Sequence, residues 1–323
     1  MNSVSFEVPA FDVLADALSE VRTRVGESPL WSPGDSALWW VDIEGRVLHR
    51  LANGAHSSWT THERLACIAL HESGGLLAAM ETGVFRLQVR PDDTLANERV
   101  ASVRHPREGM RFNDGRCDRA GRFWVSSMVR DMSLGAADGA LYRLDTRGLS
   151  KPMVGGLVTG NGLGFSPDGR LLYLSDSHPS VRRIWSYTLN DDGTLGARRE
   201  FVDMNLYPGR PDGAAVDADG CYWICGNDAG ALLRFTPHGV LDRALKLPIS
   251  KPSMCSFGGP ALDELYVTSI IPGAPVSGFD AALDGALLRL RPGVQGLPEA
   301  PFKSASVPIS IPSAIPIQSK ETT

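Results

Sequence analysis

No stretch of the 323 residues approaches the roughly 20 consecutive apolar positions that a membrane-spanning helix needs. The opening MNSVSFEVPAFDVLADALSE carries acids, without the basic start or apolar core of a signal peptide. The expected setting is therefore the cytoplasm, with no membrane partner. A basic stripe is also missing: the net charge is −5, with both signs mixed along the chain, so no nucleic-acid partner is expected. The five cysteines (67, 117, 221, 225 and 255) are too scattered for zinc spacing, and their expected role is packing in a reducing compartment. Only seven histidines occur, none in an HExxH pattern. Gly26-Glu27-Ser28 breaks the GxSxG pattern, which argues against serine esterase chemistry. Neither Gly155-Gly156 nor Gly160 leads into a Walker motif, and dinucleotide and EF-hand signatures are absent. No long segment keeps a helical period.

What is present is a repeat: a polar turn, a short apolar run and a second strand. Three copies are SPGDSALWWVDIEGRVLHRL from Ser32, HESGGLLAAMETGVFRLQV from His71 and DRAGRFWVSSM from Asp118. The others are SPDGRLLYLSDS from Ser166, DADGCYWICGNDAGALLRF from Asp217 and GGPALDELYVTSI from Gly258. Their anchors Trp39, Leu76, Phe123, Leu171, Tyr222 and Leu265 are 37, 47, 48, 51 and 43 residues apart, the length of a four-stranded propeller blade. Asp168-Gly169, Asp219-Gly220 and Gly74-Gly75 are turn signals that call for positive φ. The alternatives are a β-sandwich or a solenoid, but six units close a ring. The expected fold is all-β, a six-bladed propeller in one domain over residues 1–303. Residues 11–24 are expected to add an outer strand to the last blade, and 304–323 to form a loose tail.

Ten residues before Phe123, Leu171 and Tyr222 stand Asn113, Asn161 and Asp212, with Glu27 in nearly the same slot of the first repeat. Equivalent positions in a closed ring converge on its axis, so these four side chains would gather there. Cys67 and the stretch Ser253 to Cys255 fill the two remaining slots. Two carboxylates and two carboxamides form an oxygen donor set suited to Ca²⁺, Mg²⁺ or Mn²⁺, with Zn²⁺ or Fe²⁺ also accommodated. A single Asn or Asp before a strand would more readily cap a turn; four in register favour a metal. Asp114, Asp118, Asp168, Asp217 and Asp219 read as turn residues.

The segments GESPLW (26–31), RFNDGR (111–116), NGLGFSPDGRLLYLSDS (161–177) and PDGAAVDADGCYW (211–223, preceded by Arg210) closely resemble the gluconolactonase and regucalcin (senescence marker protein) family. The likeness spans nearly the whole chain, including GVQGLPEAPF (293–302). It implies a six-bladed propeller with one divalent metal in the central tunnel, Ca²⁺ foremost, and a small-molecule sugar lactone as substrate. By matching motif it implies Glu27, Asn161 and Asp212 as metal ligands. Asn113 would be a fourth ligand or a substrate contact, and Arg111 would hydrogen-bond the sugar.

Lactone hydrolysis passes through a tetrahedral oxyanion, which a divalent metal stabilises while acidifying water. A carboxylate beside the metal can accept the water's proton and later help protonate the ring-oxygen leaving group. Asp212 is the expected general base, with Glu27 mainly a structural charge. Arg111, two residues from Asn113 on a strand-like stretch, would face the same side. His178 is a candidate substrate contact that reads equally as a loop residue, and Asp176 a supporting or substrate-contacting group. Arg107, Glu108 and Met110 belong to a loop at the mouth and receive no role. The competing functions are a phosphotriesterase-like hydrolase and a non-catalytic calcium-binding or regulatory protein.

Overall fold

The computed structural model describes residues 16–304. Six antiparallel sheets follow one another along the chain. The innermost strands are Gly26–Ser32, Cys67–Leu70, Met110–Cys117, Gly160–Phe165, Arg210–Val216 and Pro252–Gly258. They touch in cyclic order, the sixth returning to the first, so the expected six-bladed ring is formed. The anchor residues all lie on the second strands, one blade each.

Closure joins the two ends of the described chain. Asp16–Ala17 pairs with Leu288–Leu290 as the outer strand of the sixth blade. Leu18 and Thr23 extend the join by donating backbone N–H bonds to Leu287 and Gly285. Residues 11–15 of the expected closing segment lie outside the described residues, as do residues 305–323 of the expected tail.

The second strands are apolar on both faces because each blade is packed on both sides. Trp39 points into the gap between blades 1 and 2, and Trp40 into the gap between blades 6 and 1. Phe123 and Trp124 divide in the same way, as do Tyr222 and Trp223. Six apolar clusters result, one per gap. The turns behave as their sequences require. Asp118 and Asp217 each accept two backbone N–H bonds across the turn and one from an indole, Trp124 and Trp223 respectively. Asp114, expected in a turn, instead lies within the third innermost strand and is buried.

The two ends of the tunnel differ. Residues 291–304 cross the end beneath the turns between first and second strands, bonding to blades 6, 5, 3 and 2 through Leu262, Ala218, Gly121 and Leu70. Phe302 is buried in the gap between blades 2 and 3. Glu299 pairs with Arg116, whose Nη2 also donates to the Ala214 carbonyl of blade 5. This segment floors the tunnel, leaving access from the end where the innermost strands begin.

Candidate metal centre and tunnel mouth

Five innermost strands share one irregularity. Their register slips between Glu27 and Leu30, Phe112 and Gly115, Asn161 and Gly164, Pro211 and Ala214, and Pro252 and Cys255. In each, three steps on the inner strand oppose two on its neighbour, which is a one-residue β-bulge. Bulges bend the strand and re-aim side chains. Blade 2, whose slot holds Cys67, pairs without a slip. Glu27 and Asn161 open their bulges, whereas Asn113 and Asp212 stand one residue further in, so the polar residues before the anchors occupy two neighbouring register positions. Gly162 meets the bulge's demand at φ +62°, where a Cβ would come within 2.5 Å of the Tyr222 hydroxyl and 2.6 Å of Ser175 Oγ. Ser28 adopts the same left-handed region at φ 51° in the first blade.

Asn161 and Asp212 meet directly: Asn161 Nδ2 donates to Asp212 Oδ1 at 2.7 Å. Asn227 Nδ2 donates to the other oxygen, Oδ2, at 2.6 Å. Asn161 Nδ2 also reaches Ser177 Oγ at 3.2 Å. All four of these residues are buried. Glu27 is half-buried, and its carboxyl is pushed well above the usual range first by burial and then by the charges of Asp212 and Asp114, against the opposing pull of Arg111. Burial also raises Asp212, to about 7, while Arg210 and the Asn227 bond pull it down. The structure thus brings Glu27, Asn161 and Asp212 into one neighbourhood.

Asn113 is committed differently. Its Oδ1 accepts from Arg111 Nη1 at 2.6 Å, and its Nδ2 donates to the Gly160 carbonyl at 2.9 Å. It therefore holds Arg111 in place and ties blade 3 to blade 4. Arg111 is buried and bonds the Phe112 carbonyl as well, yet it has no ion-pair partner among the described residues. An unpaired buried guanidinium is costly unless something polar completes its shell. His178 sits at the mouth with both ring nitrogens engaged, Nδ1 with Ser180 Oγ at 2.7 Å and Nε2 with the Met132 carbonyl at 3.1 Å. The Asp176 carboxylate accepts from the backbone of Val158, Thr159 and His178, so it organises the loop.

Asn227 and Ser177 escaped the sequence reading, and Asp114 entered it only as a turn residue. Asn227 ends the second strand of blade 5, a slot where blades 1 and 4 hold the loop-capping Asp42 and Asp176. That recurring polar slot was a usable signal, although it does not say that Asn227 turns inward. Asp114 Oδ2 accepts from the Leu163 backbone at 2.7 Å, while its buried Oδ1 has no partner.

The donor set suits a divalent cation. Burial raises both carboxyl groups, with the charges of Asp212 and Asp114 adding at Glu27 and those of Asp114 and Asp228 adding at Asp212, and a cation would offset these penalties. Carboxylate and amide oxygens are the ligands that hard cations take. Asn161 can contribute its Oδ1 by a half-turn of its amide, since O and N exchange places. Among the described residues no three His, Cys, Asp or Glu side chains cluster as a metal site, so the amides are required.

A stability test follows from Asp212. Its folded pKa of about 7 lies above the ordinary 3.8, so the cation-free folded protein keeps a proton that the unfolded chain releases. Stability from this group is complete below about pH 4 and is lost as pH rises through about 7, by an amount on the order of 4 kcal/mol. Urea unfolding of chelator-treated protein should show this decline between about pH 4 and 7 and little further change above it, and Asp212→Asn should flatten it. A wild-type stability that rises over the same interval contradicts the assignment.

The chain is 37% identical to the 6-deoxy-6-sulfogluconolactonase of Pseudomonas putida, over 86% of this chain and 94% of that one. It is 34% identical to a pentonolactonase of Haloferax volcanii, over 87% and 95%. The crystal structure of a calcium-binding protein, regucalcin, from Agrobacterium tumefaciens superposes with a TM-score of 0.81 at 25% identity, covering 90% of this chain and 98% of that one. Residues 25–271 match the profile described as the SMP-30/Gluconolactonase/LRE-like region, and the chain belongs to that family.

Proposed function

We propose that the protein is a divalent-metal-dependent lactonase that opens sugar lactones to their acids, with Asp212 as general base. The observation that carries this is the meeting of Glu27, Asn161 and Asp212 at the open end of a floored tunnel, beside the buried guanidinium of Arg111, which has no ion-pair partner among the described residues. Relatives named as lactonases at 37% and 34% identity over most of both chains support lactone hydrolysis as the reaction. The regucalcin relative, described as calcium-binding, supports a divalent cation, with Ca²⁺ the first choice and Zn²⁺, Mn²⁺, Mg²⁺ or Fe²⁺ alternatives.

Glu27, Asn161 and Asp212 would hold the cation. When bound, it supplies Lewis acidity to the ester carbonyl and lowers the pKa of nearby water. Asp212 accepts the water's proton and returns it to the ring oxygen as the ester bond breaks. Asn227 fixes the plane of that carboxylate by donating to Oδ2, while Asn161, which holds Oδ1 in the cation-free protein, would turn its amide oxygen to the cation. Asn113, both of whose amide groups are bonded within the protein, acts by aiming Arg111 at the sugar hydroxyls. His178, with its ring bonded across the mouth, helps shape the entrance that the substrate passes.

A pH-stat assay of metal-reconstituted protein against glucono-, galactono- and arabinonolactone, with a fluorophosphate ester in parallel, tests the reading. Acid release from at least one lactone, well above the buffer rate and faster than from the fluorophosphate, is expected. Turnover of the fluorophosphate alone would favour phosphotriester hydrolysis, and metal binding with no turnover a regulatory role.

A further inference from the structure

Three cations stand together on one side of the tunnel mouth. Arg182 ends the turn after the second strand of blade 4, Arg210 begins the innermost strand of blade 5, and Lys251 immediately precedes that of blade 6. One carboxylate serves two of them: Asp228 bonds Arg210 Nε at 2.5 Å and pairs with Lys251. Arg182 lacks an ion-pair partner among the described residues and spends Nη2 on the carbonyls of Met204, Tyr207 and Gly209, which gives it a structural task. Against the three cations stand Asp228 and, one side chain inward, the Asp212 carboxylate that Arg210 faces, which leaves one excess positive charge in a partly buried wall.

Arg210 is also wired to the candidate metal centre. Its Nη2 reaches Asn227 Oδ1 at 3.4 Å, and Asn227 Nδ2 holds Asp212. Its Nη1 donates to the Ser177 carbonyl at 3.3 Å, while Ser177 Oγ accepts from Asn161. The guanidinium therefore stands one side chain outward from the Asp212 and Asn161 layer, on the way to solvent. A sugar lactone with its carbonyl at that layer and its far end toward the mouth would place its last carbon near Arg210 and Lys251.

We infer that the substrates are lactones bearing an anionic group on the carbon farthest from the carbonyl, recognised by Arg210 and Lys251; the inference rests on the lactonase reading above. A guanidinium fork matches a tetrahedral or planar oxyanion and an ammonium adds a mobile charge, so phosphate, sulfonate and carboxylate share the chemistry. An excess of like charge in a low-dielectric wall also attracts anions to the entrance, an effect that weakens with salt.

The test compares kcat/KM for gluconolactone with that for its 6-phosphate, for the 6-deoxy-6-sulfonate and for a glucarolactone, in wild type, Arg210→Gln and Lys251→Met. At least one anionic lactone should exceed gluconolactone by about tenfold or more, and each variant should reduce that ratio by about tenfold. The member with the highest ratio identifies the oxyanion. Lys251 does not touch Asn227, so its variant separates charge recognition from disturbance of Asp212. A wild type without anionic preference, or variants that lower neutral and anionic substrates equally, overturns the inference. If no lactone is hydrolysed, calorimetry with gluconate and its 6-phospho, 6-sulfo and 6-carboxylate counterparts decides. Tighter binding of an anionic member that both variants abolish sustains the anion site while the lactonase reading fails, and equal binding overturns both.

Discussion

Asp212→Asn is expected to lower kcat/KM for the preferred lactone by about 10³-fold or more, the scale associated with losing a general base together with part of a metal site. The substitution keeps the size of the side chain but removes its charge and its ability to take a proton. It also puts an NH₂ group opposite Asn161 Nδ2 or Asn227 Nδ2, both of which donate to Asp212. Glu27→Gln is the informative companion, because the proposed mechanism gives Glu27 charge without a proton-transfer role. Its turnover should recover substantially at saturating cation, whereas Asp212→Asn should stay defective at any cation concentration. The measurement is initial rate against cation concentration for both variants. Equal recovery of the two removes Asp212 from proton transfer and leaves it only a ligand.

The second large effect is the removal of the divalent ion. Exhaustive chelation should reduce lactone hydrolysis to near the buffer rate, a loss of at least about 100-fold, with recovery on adding back one of Ca²⁺, Zn²⁺, Mn²⁺, Mg²⁺ or Fe²⁺. A cation competes with protons for the buried carboxyls, so apparent cation affinity should rise between pH 6 and 8 as Asp212, at about 7 without the ion, gives up its proton. Titrations followed by both rate and intrinsic tryptophan fluorescence separate binding from catalysis. Full activity after complete removal rules out the proposed mechanism, whatever the binding shows.

Much of this protein was legible before any tertiary contact was known. Turn pairs such as Asp168-Gly169 and the recurrent apolar anchors are local features, set by backbone sterics and strand packing, so they survive in a one-dimensional pattern. Six of them imply a ring, and a ring turns a constant offset before each anchor into convergence on an axis. Asn113, Asn161 and Asp212, with Glu27 nearly in register, emerged in that way, and the family resemblance singled out Glu27, Asn161 and Asp212. Assigning Asp114 to a turn failed for a physical reason: the bulge at 112–115 turns neighbouring residues to different surroundings, and an Asn-Asp pair does not say which goes where.

Other features required the ring to close. Asn227 finds Asp212 across two strands of one blade, while Arg116 reaches Glu299 over nearly two hundred residues to help floor the tunnel. Lys251 and Arg210 share Asp228 only because blades 5 and 6 lie side by side. The repeats of the sequence by themselves determined the blade count and the slots that face the axis, because sterics and apolar packing act over a few residues. Which slots touch, which end of the tunnel is open and where charge accumulates at its mouth were decided by the tertiary structure, because electrostatic and hydrogen-bonding partners are chosen by distance in space.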